Sequence, residues 1–218
     1  MQPAVTAAPV LPLRPVLVTA SLATTVAGVA VMQTISVPLL PELPKIFDTD
    51  LSAASWVATS TLVVGAVVNP VVGRMGDLFG RRRVMVACLV TAVVGSVLGA
   101  VSGSMVVLVI ARGLQGVSSG AIPLAYGVIR DELPPRMLRR GMAVITAAGS
   151  AVGAGLGPVL MGAVLAQHGW RSLFWISAVT CALSIVLVLS NTRSARRHRI
   201  VRFDGVGAVL VSVALVLA

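Results

Sequence analysis

The sequence predicts an all-α, polytopic membrane protein, and three observations predict it. Hydrophobic residues fill 57% of the 218 positions, charged residues only 11%, and the mean hydropathy is +0.99. A soluble chain of this size has nowhere to bury that much apolar surface. The apolar residues fall into six long runs with a seventh cut short, and a run of about 20 residues crosses a ~30 Å hydrocarbon core. Positive charge alternates between the connections. Of 17 Lys and Arg, fourteen lie on one side: Arg14; Arg74, Arg81, Arg82 and Arg83; Arg130, Arg136, Arg139 and Arg140; Arg193, Arg196, Arg197, Arg199 and Arg202. The other side has Lys45 and Arg171, and Arg112 lies inside a run. Cytoplasmic loops retain Lys and Arg, which predicts a multi-pass protein of the cell membrane with its N-terminus inside.

Residues 1–15 read as a cytoplasmic tail, broken by Pro3, Pro9, Pro12 and Pro15 and unlike a signal peptide. The spans are expected at 16–37, 52–72, 84–101, 105–128, 142–166 and 173–190, the last starting near Trp170. Pro38, Pro41 and Pro44 are expected to end the first helix and open an external loop holding Glu42, Asp48 and Asp50. The other external connections, 102–104 and 167–170, are short. Residues 191–204 form a basic cytoplasmic linker suited to anionic lipid headgroups. Residues 205–218 read as an incomplete seventh span, since 14 residues rise about 21 Å against a ~30 Å core. This chain therefore reads as the front of a longer protein.

Composition excludes several classes. The net charge of +10 is topological, in short loops, so it does not point to nucleic acid. Cys88 and Cys181 both lie in apolar runs and read as packing thiols. No metal-ligand cluster, nucleophile–base set or phosphate loop suggests an enzyme or a cofactor.

Some residues stand out for function. Asp77 is the one acid among four arginines in the 73–83 connection, where Gly73, Gly76 and Gly80 permit a tight turn. It can pair with an arginine or with the amide end of the next helix, and such a pair works as a latch if a partner domain competes for it. The alternative is an ordinary positively charged turn. Arg112 lies about 10 Å below the span boundary, where a lone charge costs roughly 2.5–3.5 kcal/mol. It is expected to face a cavity or a buried partner rather than lipid. Gly149, Gly153 and Gly157 share one helix face, suited to close packing, and Pro158 is expected to bend that helix. Gln33, Thr34 and Ser36 in the first run, Asn69 in the second, and Gln115, Ser118, Ser119 and Tyr126 in the fourth are polar groups at membrane depth. They are candidates for substrate contact or for helix–helix hydrogen bonds.

The 73–83 connection resembles the loop motif of the major facilitator superfamily, G-x-L-a-D-r-x-G-R-K, at Gly73, Asp77, Gly80, Arg81 and Arg82. Arg112, Gln115 and Gly116 resemble the family's R-x-x-Q-G. Gly149, Gly153, Gly157, Pro158 and Gly162 resemble its antiporter motif, with Met161 replacing one glycine. Gly169 to Phe174 and Phe203-Asp204-Gly205 resemble the entries to spans six and seven of the fourteen-span drug:proton antiporters (QacA/EmrB-like). The resemblance implies the six-helix N-terminal half of a major facilitator fold, built as 3+3 inverted repeats. Residues 16–190 would be that half, and a C-terminal half would be its partner. It further implies a secondary transporter that exports hydrophobic or cationic small molecules in exchange for protons, in drug resistance. In the family the arginine matching Arg112 is implicated in proton transfer, and the glycine face packs on the second half. One departure stands out: Met32 occupies the place of a first-span carboxylate, and no Asp, Glu or His lies within the six runs. An uncoupled metabolite facilitator, or a non-transporting fragment or assembly subunit, are the alternatives.

Overall fold

The computed structural model describes residues 13–192. The expectations for residues 1–12, for most of the basic linker and for the seventh run lie outside them. Among the described residues the chain is helical almost throughout, without a strand. The first span joins α1 (Leu13–Thr34) to a short α2 (Ser36–Leu39), and α3 (Leu43–Phe47) follows. The second and third spans are α4 (Leu51–Phe79) and α5 (Arg81–Ala100). The fourth runs from α6 (Met105–Gly116) through a 3₁₀ turn, Val117–Gly120, into α7 (Ala121–Glu132). The fifth joins α8 (Pro135–Ser150), a π turn at Ala151–Leu156 and α9 (Gly157–His168). The sixth is α10 (Trp170–Asn191).

Three boundaries differ from the sequence reading, each for a local reason. The prolines after the first run bound two short helices rather than one open loop, with Pro41 in the turn at 40–42. Pro44 lies at the start of α3, where its missing N–H leaves no bond unmade. Pro38 lies in the first turn of α2, and the helix breaks just before it, at Ile35. The 73–83 connection is almost wholly helical. Gly73 lies inside α4, and the turn reduces to Gly80, whose φ of +97° disfavours any side chain. The fifth span begins seven residues early, at Pro135, and bends by 41° at the π turn. Pro158 follows that turn and cannot donate to the preceding one, so glycines and proline share the bend.

The spans pack with an internal two-fold pattern. The third lies against the sixth and the first against the fourth. The second packs on the fourth as the fifth packs on the first, and the third on the fourth as the sixth on the first. Exchanging spans one to three with four to six leaves this list of neighbours unchanged. Because three is odd, the second triplet crosses in the opposite direction, which makes the repeats inverted.

Apolar side chains cover both the inside and the outside. Trp56, Leu62, Val106, Val159 and Val179 are between 59% and 70% exposed. Inside lie two apolar cores, one around Leu22, Met85, Leu89, Leu124 and Ile129, the other around Met32, Leu39, Val57, Leu108 and Phe174. Apolar exterior with buried Arg112 and Gln115 is the arrangement of a protein dissolved in lipid. The chain is a multi-pass membrane protein.

Glycine sets the closest approach. A Cβ on Gly116 would lie 2.5 Å from the Thr61 carbonyl oxygen of α4, against backbone that cannot yield. Gly116→Ala should therefore destabilise by about 1–3 kcal/mol. Gly73→Ala meets nothing within 4 Å in mid-helix and should stabilise by about 0.5–1 kcal/mol. Unfolding midpoints in SDS measure both, and equal midpoints for the two variants would refute the packing argument.

Candidate functional site

Two polar constellations and one small-residue stripe contain most of the residues picked out by sequence. The first lies at the arginine-rich end, where α4 turns into α5. Arg81 is its centre. Its Nη2 donates to Asp77 Oδ1 at 3.1 Å. Its Nη1 donates to both carboxylate oxygens of Asp131 at 3.0 and 3.1 Å and to the Gly127 carbonyl at 3.2 Å. One guanidinium thus ties the end of α4 and the start of α5 to α7. Gly127 makes this possible, since a Cβ there would collide with Arg81. Asp77, Arg81, Tyr126 and Arg130 face a cavity of about 310 Å³. Arg82 turns the other way and donates to the Leu189 carbonyl near the end of α10 at 2.5 Å. Gly76 packs on Leu124, while Gly73 packs on nothing. Sequence reading missed Asp131 and Gly127: fifty residues separate Arg81 from Asp131, and nothing local marks the pair.

The second constellation is buried. Arg112 is 1% exposed. Its Nη1 donates to the Gln115 Oε1 at 2.7 Å and to the Met32 carbonyl at 3.1 Å. Its Nη2 donates to Ser36 Oγ at 2.5 Å, and its Nε to the Val57 carbonyl at 3.3 Å. Gln115 Nε2 then donates to Ser96 Oγ on α5 at 2.8 Å, and Thr61 Oγ1 on α4 donates to the Arg112 carbonyl at 3.1 Å. Every acceptor around the guanidinium is neutral. The carbonyl it meets in α1 belongs to Met32, the residue where the resemblance leads one to expect a carboxylate. Ser96, Thr61 and the two carbonyls were not legible in the sequence.

The stripe faces the first span. A Cβ on Gly149 would meet Val26, one on Gly153 would meet Ala30, and one on Gly157 would meet Thr34; Gly162 comes nearest to Pro38. Residues four apart on the fifth span thus sit on residues four apart on the first. In this structure the face packs on the first span. Pro158, beside it, starts α9.

The polar cavity candidates divide. Ser36 and Ser118 are occupied inside, Ser36 by Arg112 and Ser118 by the Gln115 carbonyl at 2.7 Å. Thr34 donates to the Val31 carbonyl in its own helix at 2.7 Å. Ser119 donates to Asn69 Oδ1 at 3.1 Å, and Tyr126 pairs with Thr146 across α7 and α8 at 2.8 Å. Asn69 is exposed and Gln33 half-buried, so Gln33, Asn69, Ser119 and Tyr126 keep an accessible face.

Arg112→Lys tests the buried centre. An ammonium keeps the charge but cannot span four acceptors on three spans. Each acceptor left unpaired costs about 1–3 kcal/mol, so the SDS midpoint should fall markedly. An unchanged midpoint would mean that the charge alone, and not the fork, is needed.

Comparison with known proteins agrees with this geometry. The family model of the Major Facilitator Superfamily matches residues 22–217. The chain is 38% identical over 184 residues to the MFS-type transporter Rv1877 of Mycobacterium tuberculosis, covering 84% of this chain and 26% of that one. It is 30% identical over 164 residues to Multidrug resistance protein 3 of Bacillus subtilis, covering 74% of this chain and 32% of the relative. It thus spans about a quarter to a third of the length of these relatives. Solved structures share the fold. The human organic anion transporter MFSD10 superposes with a TM-score of 0.70 at 21% identity, over 84% of this chain and 49% of that one. The peptide-transporter-family protein PepTSo gives 0.72 at 18%, over 88% and 40%. A buried arginine hub, an arginine–aspartate junction and inverted triplets thus coincide with a family match over most of the sequence: the chain belongs to the major facilitator superfamily.

Proposed function

We propose that the chain is the N-terminal half of a secondary transporter of the fourteen-span drug:proton antiporter kind. It would export hydrophobic or cationic small molecules across the plasma membrane, with a C-terminal half completing it and its N-terminus in the cytoplasm. Support for efflux comes from relatives whose names are multidrug resistance proteins. The observation that carries the reading is the Arg81 junction. Asp77 is 62% exposed, Arg81 29% and Asp131 28%, so the pairs can be exchanged rather than locked. Asp77 serves as a latch, competed for by the second half during alternating access. Gln33, Asn69, Ser119 and Tyr126 offer substrate contacts from this half.

A second reading has its own support. Arg112 meets only neutral acceptors, and no acid or histidine lies within the six apolar runs. That favours an uncoupled facilitator unless the coupling acid comes from the second half. A fluorescent cationic dye in inverted vesicles of the complete transporter separates the two. Antiport predicts dye accumulation that a protonophore abolishes; equal movement without a gradient would establish the facilitator. Residues 1–218 alone should move no dye. Asp77→Asn should keep abundance and lower transport about tenfold, the scale of a 1–3 kcal/mol coupling. Full activity would leave only the topological role of the loop.

Orientation is tested by single cysteines. Lys45→Cys, Gly103→Cys and His168→Cys should react with an impermeant thiol reagent from outside, Asp77→Cys and Arg136→Cys only after permeabilisation. The reverse pattern would overturn the N-inside topology.

A further inference from the structure

A groove between the first turns of α1 and of α8 belongs to none of the constellations above. It encloses about 270 Å³, and its walls are almost wholly apolar: Val16 and Ala20 from α1, Met137, Gly141 and Val144 from α8. One charged side chain, Arg140, stands at its rim. From Met137 to Val144 the α8 wall is seven residues, about 10 Å along the helix axis. Arg136, Arg139 and Arg140 are all exposed, and none makes a hydrogen bond or ion pair with a described residue. Because both walls are the first turns of membrane spans, the groove opens at the depth where headgroups meet acyl chains.

We infer that this groove seats one acyl chain of an anionic phospholipid, with its phosphate held by Arg140 and the neighbouring Arg136 and Arg139. Charge selects that occupant. The acids at this end are engaged: Asp77 and Asp131 on Arg81, Glu132 on Arg14. Neither flank of the described residues in this sequence is acidic. Residues 1–12 contain no acid, and residues 193–218 contain one, Asp204, among five arginines. A lipid carries both parts needed, an apolar tail for the walls and an anion for the rim, and the bilayer presents it there at high concentration. The site fixes the start of the fifth span against the first, on the same pair of helices that the glycine stripe joins. It does not depend on the transport reading.

The test is native mass spectrometry of the 218-residue chain, extracted in mild detergent and exchanged with phosphatidylglycerol or phosphatidylcholine. Phosphatidylglycerol should be retained in preference. Arg140→Ala should weaken that retention about fivefold, the scale of one arginine at an anionic surface. Val144→Trp, which fills the groove and leaves every arginine, should weaken it as well. Arg83→Ala removes an exposed arginine at the same end but away from the groove and should change nothing. Circular dichroism of each variant confirms that it is folded. Equal retention of the two lipids, or loss in Arg83→Ala as large as in Arg140→Ala, would overturn the site in favour of diffuse attraction to a basic surface. Normal retention in Val144→Trp would overturn the acyl seat.

Discussion

A permanently charged guanidinium buried in an apolar bundle constrains everything around it. Arg112 has no carboxylate partner, so its charge must be satisfied by hydrogen bonds alone, from four acceptors on three spans. A charge at membrane depth costs a few kcal/mol even on the mildest scale, and far more on an isolated helix. Hydrogen bonds to a charged group return about 1.5–3 kcal/mol each, so two or more are needed before the site is even neutral. α1, α4 and α6 must therefore converge to within hydrogen-bond reach. Gly116 lets α6 lie against the backbone of α4, and Gly95 lets α5 lie against the backbone of α6, where Gln115 reaches Ser96. The two apolar cores fill in on either side of this polar layer. Packing here follows from solvation of one group.

The internal two-fold then shows how the two triplets use similar contacts to different ends. In the second-on-fourth pair, Gly116 meets the backbone of Thr61, and Gly65 meets the Ser119 side chain. In the equivalent fifth-on-first pair, Gly149, Gly153 and Gly157 meet side chains, Val26, Ala30 and Thr34. The first pair carries part of the arginine layer, through the Val57 carbonyl and Thr61. The second contains a π turn, a proline and a 41° bend, and no buried charge depends on it. The sharp bend thus lies in the fifth span, while the spans that hold Arg112 carry only smaller irregularities, the break at Ile35 and the 3₁₀ turn at Val117–Gly120.

What the sequence revealed and what it hid follow the same division. Five spans were legible because a ~30 Å core fixes run length, and the bent pair α8–α9 makes a sixth when taken as one span. The burial of Arg112 was legible because a charge has few options at that depth. Its partners were not: Met32 and Val57 contribute carbonyls, which every residue has, so nothing in their side chains announces the role. The helical path through Pro38 and Pro44 was hidden because proline breaks a helix only where its N–H is needed, and at a first turn it is not. The stripe was visible at Gly149, Gly153 and Gly157, but its partner lies about 120 residues away in the chain. Small-residue spacing says that something packs closely and does not say what. The Arg81–Asp131 pair was missed for the same reason of distance.

The two ends of the bundle are held by unlike forces, and that difference bears on which of them can open. At one end Phe47, Trp170 and Phe174 meet edge to face, Phe174 lies on Gly99, Arg171 stacks on Trp170 at 4.5 Å, and its Nη2 donates to the Ser102 carbonyl at 3.1 Å. Parting those contacts exposes aromatic surface and leaves Gly99 facing a void. At the other end, beside the apolar core and the Arg82 bond to Leu189, stand ion pairs between partly exposed groups, Asp77, Arg81 and Asp131. Such pairs are worth about 0–1 kcal/mol each, because water and salt take up either partner when they separate. A ligand exchanges such pairs only by the difference in its affinity for the two arrangements, and a tenfold preference, about 1.4 kcal/mol, is enough for at least one of them. Among the described residues, then, exchangeable ion pairs lie at the arginine-rich end over the apolar core around Leu22 and Leu124, and aromatic contacts at the other, with Arg112 anchoring the bundle between them.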